Sequence, residues 1–242
     1  MKYILLIFIV FIVEVSAENE ISKDLSNALV GIQSEEPELI KTSLTYILQH
    51  QQDIPSTHLI FASAQALNMN QLEDAGYLYY AGQIRAKFDL KRFPPKQQGG
   101  SSPHITIIDL LREVGSVVNP EVFKNPKVFS RIVVNLAKFP MITKADYDPG
   151  WDYKYRLPIN KQKEILQEIA KTDIKQLADF SQLLNNPEYF SAFKSLQEFY
   201  TLSEEKRELQ AYIQSKQNAE KTMLEVEMSM KIVGHFYKGK DS

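Results

Sequence analysis

From about residue 20 to the end of the chain, apolar side chains recur at three- and four-residue intervals, which commits most of the sequence to helices. In a helix those positions share one face, so each segment buries a stripe and leaves its other side wet. Glycine usage agrees: there are 9 in 242 residues, and no Asn-Gly or Asp-Gly pair to turn a hairpin of strands. The spacing predicts a first helix over 20–32 and a second starting at Ser34-Glu35-Glu36-Pro37, with its stripe through Leu39, Ile40, Leu44 and Ile47. Ser34 is placed to cap it, and the two glutamates favour the positive end of its dipole. A third helix follows Pro55-Ser56-Thr57, and Asn68-Met69-Asn70 links it to a fourth, from Gln71 to about Leu90.

Further helices are expected over 104–118 and 126–138, the first closed by Asn119-Pro120 and the second opened by Asn125-Pro126. The β-branched stretch 105–108 admits a strand, but Leu110, Leu111 and Val114 continue a helical stripe and favour helix. One long helix is expected over 159–184, a break at Asn186-Pro187, and another helix to about Tyr200. Thr201-Leu202-Ser203-Glu204 has the form of a capping box for the last helix, which Gly234 is placed to close. Two segments stand outside this pattern. Residues 91–103 hold adjacent prolines and glycines, and 139–157 mix prolines, aromatics and acids. The expected fold is therefore all-α: antiparallel helical hairpins packed as an array or irregular bundle, with a long C-terminal helix. Residues 18–242 read as a single domain, with 91–103 the place for a lobe boundary.

The N-terminus has the three parts of a secretory leader: Lys2, an apolar run over 3–13, and Ser16-Ala17 before Glu18. A run of 11 residues spans about 17 Å as a helix, too short for a hydrocarbon core of about 30 Å. Residues 1–17 are thus expected to be a signal peptide, the mature protein to be periplasmic or secreted, and no stable membrane insertion to follow cleavage. Zero cysteines exclude disulfides, thiolate metal sites and cysteine nucleophiles, and an exported chain without them suggests a bacterial periplasm or exterior. A net charge of -2 gives no general hold on nucleic acid.

Within the third and fourth segments, small residues stand at Ser63, Ala75 and Gly82 with an aromatic at Tyr79. On these residues, 55–88 resembles one unit of the tetratricopeptide or Sel1-like helical hairpin families, although Ala66 stands where an aromatic is usual and Lys87 where proline is usual. The resemblance implies close helix packing and a protein-binding concave surface.

Two constellations carry chemistry. Residues 85–96 concentrate Arg85, Lys87, Lys91, Arg92 and Lys96, with Asp89 the acid among them and Phe88 and Phe93 interleaved. Cations near a helix C-terminus are favoured by the dipole, so the segment reads as a solvated helix end or as an anion site. The second is Asp146-Tyr147-Asp148-Pro149-Gly150-Trp151-Asp152-Tyr153, followed by Tyr155 and Arg156. Acids beside aromatics suit a sugar or peptide ligand, and carboxylates at this spacing suit Ca²⁺. An EF-hand is excluded, because counting from Asp146 places Trp151 and Leu157 where glycine and glutamate are needed. The competing reading is a long loop pinned to the protein by its aromatics.

The last helix has the sharpest period: Leu209, Tyr212, Lys216, Ala219, Met223, Val226, Met230 and Val233 follow a coiled-coil seam. It either docks on the protein's own helices or pairs with another chain.

The four histidines are scattered, and no hydrolase, nucleotide-binding or zinc motif occurs. The expectation is an exported protein–protein interaction module without catalytic activity, one form of which is an immunity-type inhibitor of a secreted toxin. Its contacts are expected at Tyr79, Tyr80, Arg85, Lys87, Lys91, Arg92, Asp148, Trp151, Asp152 and Tyr153, together with Tyr77, and no cofactor or metal is expected. The alternatives are a cell-wall-directed hydrolase using Asp148 and Asp152, and an anion- or small-ligand-binding protein.

Overall fold

The computed structural model describes residues 23–140, 142–144 and 146–235. The expected leader at 1–17 and the start of the first expected helix lie outside these residues. The described residues are all-α, with helices packed on one another and no strand among them. Among the described residues eleven α-helices follow in order: α1 (Lys23–Gly31), α2 (Pro37–Gln49), α3 (Ser56–Asn68), α4 (Leu72–Arg92), α5 (Pro103–Phe123), α6 (Pro126–Leu136), α7 (Ile159–Ile169), α8 (Lys175–Asn185), α9 (Pro187–Thr201), α10 (Glu204–Arg207) and α11 (Gln210–Met230).

Proline and its preceding residue set four of the helix starts. α2, α5, α6 and α9 each have proline in the first turn, where a missing N–H costs no intrahelical bond. Ser102, Asn125 and Asn186 cap the last three, their side-chain oxygens accepting from backbone N–H groups two or three residues on. Ser34 does not cap α2 as expected. Its hydroxyl accepts from the Glu36 N–H at 3.0 Å, forming a turn before a helix whose cap position is Glu36.

Three further expectations are corrected, and one is met with a local irregularity. Asn119-Pro120 does not end α5, which continues to Phe123. Val118 and Val122 on either side of the proline are fully buried, and Ser116, whose carbonyl loses its N–H partner, is exposed to water. The helix expected over 159–184 is present as one unbroken helical run, α7 and α8 joined by a π turn at Ala170–Ile174. Thr201 belongs to α9 and donates to the Glu198 carbonyl, so no capping box forms; short α10 precedes α11 instead. Finally, α11 ends at Lys231, whose left-handed backbone (φ 54°) closes the helix with Ile232 N–H donating to the Glu227 carbonyl. Gly234 serves a different end: a Cβ there would lie 2.3 Å from the Glu227 carboxylate.

Most buried apolar residues form one cluster running from Ile32 to Ile232; Phe93 and Tyr147 are buried outside it. Its centre is the α3–α4 hairpin, the most extensive helix pairing among the described residues. Gly82 permits that closeness, since a Cβ there would meet Ile60 Cγ1 at 2.6 Å and the Ile60 backbone nitrogen at 3.0 Å. α4 in turn carries α5, α6 and α7, while α9 and α11 pack together at the C-terminal end.

Candidate functional site

α4 presents Arg85, Asp89 and Arg92 at spacings of four and three, one stripe of a helix. The loop between α6 and α7 lies against that stripe. All three charged groups are buried, Arg85 and Arg92 at 1% exposure and Asp89 at 0%. Tyr147, from the acidic-aromatic loop, donates its hydroxyl to Asp89 Oδ2 at 2.6 Å. The Arg85 guanidinium donates to the Pro140 carbonyl at 2.8 Å and lies over the rings of Phe139 and Tyr147. Arg92 bonds the Thr143 hydroxyl, and the Gln162 carboxamide lies against its two terminal nitrogens; with the amide oriented oxygen-inward, that oxygen is 2.9 and 3.0 Å from them.

The loop is also sewn to the segment after α4. Trp151 Nε1 donates to the Phe93 carbonyl at 2.8 Å, and the Lys154 N–H to Pro94 O at 2.8 Å. The Lys96 N–H donates to Asp152 O at 2.9 Å, and Pro95 and Tyr153 form an antiparallel bridge. Phe93 is fully buried between Tyr147 and Tyr153, with Arg92 and Arg156 over its ring. The two constellations seen in the sequence are therefore one assembly, a strap of 139–157 closed over the C-terminal half of α4.

The electrostatics follow from burial. Removal from water pushes the Asp89 carboxyl up to about 7, against the pull of Arg85, the Tyr147 hydroxyl, Arg92 and the Ser56 backbone N–H. Burial and the neighbouring Arg156 bring the Arg92 guanidinium down to about 10. Burial lowers His58, on the first turn of α3, to about 4. Tyr147 is pushed upward by burial and by Asp89, so its hydroxyl stays protonated as the donor in this pair.

The other expected contacts are dispersed. Lys87 pairs with Asp173 in the π turn, and Lys91 with Glu168 of α7 at 2.5 Å, so these cations tie α4 to α7. Tyr77, Tyr79 and Tyr80 spend their hydroxyls on Gln51 Oε1, the Leu111 carbonyl and Asn119 Oδ1 at 2.6, 3.0 and 2.9 Å. Asp148 is exposed and accepts from the Gly150 N–H, a turn contact, while Asp152 keeps 82% of its side chain in water, 3.9 Å from Lys96 Nζ. No group of three or more acids or histidines among the described residues is placed to hold a metal ion, and no described helix is long and apolar enough to cross a membrane. Sequence reasoning missed Thr143, Gln162 and His58, which carry no motif. The i, i+4, i+7 spacing of Arg85, Asp89 and Arg92 was a signal available beforehand.

The C-terminal seam is buried only in its middle. Ala219, Met223 and Val226 are buried, whereas Leu209 and Tyr212 at its start remain 54% and 37% exposed, Met230 is half-buried, and Val233, past the end of α11, is exposed. Lys216 lies over the rings of Phe199 and Tyr200 at 5.5 and 5.8 Å. Beside it, a shallow, open groove between α9 and α11 is lined by Ser191, Ser195, Gln214, Ser215, Asn218 and Thr222 among others.

The strap yields a direct prediction. Tyr147→Phe leaves a buried Asp89 oxygen without its donor, at a cost of about 1–3 kcal/mol. Trp151 is the only tryptophan and sits in the strap, so urea unfolding followed by its fluorescence reads the loss as a lower midpoint. An unchanged midpoint would show that the hydroxyl contributes nothing.

No protein-family model, no curated protein and no solved structure matches this chain, so the likeness of the α3–α4 hairpin to helical-repeat units rests on its residues and packing alone.

Proposed function

We infer that this chain is an exported, non-catalytic binding protein that engages a partner protein through the N-terminal half of α11 and the adjoining end of α9. The observation that carries the reading is the divided seam. An apolar line at heptad spacing is buried in its middle, at Ala219, Met223 and Val226 of α11, and continues toward the N-terminus of the helix as exposed Tyr212 and Leu209, with exposed Tyr200 beside Lys216 of the same line. Contiguous exposed aromatic and aliphatic side chains are costly in water and mark interaction surfaces. The adjoining groove offers hydroxyl and carboxamide groups to a partner's backbone. An immunity-type inhibitor is one form of this reading, and export rests on the leader pattern at 1–17.

The test pairs export with docking. The mature chain recovered outside the cytoplasm is expected to begin at Glu18 by mass. A partner that co-purifies with it is expected to be lost with Leu209→Asp or Tyr212→Asp and kept with Val134→Asp, an exposed apolar position on α6. Loss of the partner with all three, or with none, removes the α11 surface from the reading.

A further inference from the structure

We propose that the open start of the α11 seam receives a basic amphipathic helix of the partner; this rests on the α11 surface described above and adds the partner's chemistry. The register of α9 against α11 gives the form of that element. Tyr189 donates to Glu227, and Lys216 lies over the rings of Phe199 and Tyr200, so the two helices run antiparallel and in step. One turn further back along α11, the facing turn of α9 no longer exists. α9 ends at Thr201, and Leu202 leaves it in extended backbone (φ -70°, ψ 153°). Short α10 does not take over, since Leu209 and Tyr212 stay exposed. The seam thus runs on at heptad spacing past the helix that buries it, and the element that matches heptad spacing is another helix.

The surrounding charges set the sign of that helix. Glu198, Glu204, Glu205 and Glu208 are all exposed, and none of them forms an ion pair among the described residues. The nearby cations are fewer. Lys216 stands 3.6 Å from Glu220, and Arg207 donates to the Tyr200 carbonyl at 2.8 Å, so Lys206 and Arg207 face four carboxylates. Glu188 is the charged residue lining the groove alongside. Such a rim attracts lysine and arginine and repels an acidic helix. The aromatics act in the same direction. Lys216 shows that the rings at this end accept a cation, and Tyr200 and Tyr212 keep exposed ring surface for a second one.

The test is titration of the full mature chain with three synthetic peptides of about four helical turns each. One has leucine on one face and lysine on the other, the second has glutamate in place of lysine, and the third has serine in place of leucine. The leucine–lysine peptide is expected to bind at least about tenfold more tightly than either control, because the seam and the rim both contribute. Leu209→Ser and Tyr212→Ser are each expected to weaken it several-fold, with Val134→Ser without effect. Changing Glu204, Glu205 and Glu208 together to Gln is expected to flatten the loss of affinity between about 50 and about 300 mM salt. The substituted side chains are exposed, so unchanged far-UV helicity is expected in every variant.

Equal binding of the leucine–glutamate peptide would overturn the basic helix, and equal binding of the lysine–serine peptide would overturn the seam as its seat. Binding of the leucine–lysine peptide that survives both seam substitutions would place it elsewhere and overturn the proposal, as would no binding at all. A co-purifying partner that is lost with Leu209→Asp while the peptides show no preference for lysine sinks this proposal alone and leaves the α11 surface standing.

Discussion

Asp89→Asn is expected to turn a shallow dependence of stability on pH into one that falls on acidification. Two buried groups oppose each other in the wild type. The Asp89 carboxyl stands at about 7 in the folded chain against 3.8 when exposed, so its favourable contribution is complete below 3.8 and lost as pH rises through about 7. That displacement corresponds to about 4 kcal/mol. His58 runs the other way. At about 4 in the fold against 6.5 unfolded, it contributes fully above 6.5 and loses its contribution as pH falls toward 4. Because its ring keeps some contact with water, its share is at most about 3 kcal/mol.

Between pH 4 and 6.5 the two slopes largely cancel. Asp89→Asn leaves the histidine slope alone, and His58→Gln leaves the aspartate slope, so the second variant is expected to gain stability on acidification from pH 7. Urea midpoints read by Trp151 fluorescence at pH 4.5, 5.5, 6.5 and 7.5 check both. If the Asp89→Asn profile parallels the wild type, the carboxyl does not titrate in this window.

The second large effect is expected at Phe129. Its side chain is fully buried, with Phe123 at 5.2 Å and Phe180 and Tyr80 each at 5.8 Å between ring centroids. These rings come from α4, α5, α6 and α8, so the cluster is where four helices meet. Phe129→Ala removes transfer energy and leaves a cavity whose walls are rigid rings, at a cost of about 3–5 kcal/mol. For a chain of this size that lowers the unfolding temperature by on the order of 10 °C. Phe129→Leu retains much of the volume and is expected to cost less than half as much. A calorimetric midpoint within two or three degrees of the wild type for the alanine variant would falsify the assignment of this cluster as the packing centre.

The positions of the helices are largely legible in the sequence itself. Asn125-Pro126 and Asn186-Pro187 mark real starts because a side-chain cap and a fixed φ act within three residues, whatever surrounds them. The irregular segment at 139–157 was legible for the same reason, through its prolines and its Asp-Pro-Gly turn. Pro120 was not. Whether a helix runs through a proline depends on what its next turn buries, and fully buried Val122 decides that from outside the helix. The N-terminal cap at Ser34 and the capping box at Thr201 failed in the same way, since the hydroxyls had local carbonyl or N–H partners of equal quality.

The candidate site was half legible. Residue types at 85–96 and 146–156 stood out, but a sequence cannot say whether a lysine and an arginine on one helix meet the same surroundings. On α4 they do not: Lys87 and Lys91 reach the edge and pair with acids across to α7 and the π turn, while Arg85 and Arg92 turn inward. The sequence alone determined an all-α chain, the order of its helices and the unlike charges of two segments, because propensity, caps and periodicity act over a few residues. The tertiary structure alone decided that those segments close on each other over buried Asp89 and that half of the C-terminal seam stays open. Burial is set by contacts between residues more than 50 positions apart, such as Asp89 with Tyr147, and burial decides what a charged group can do.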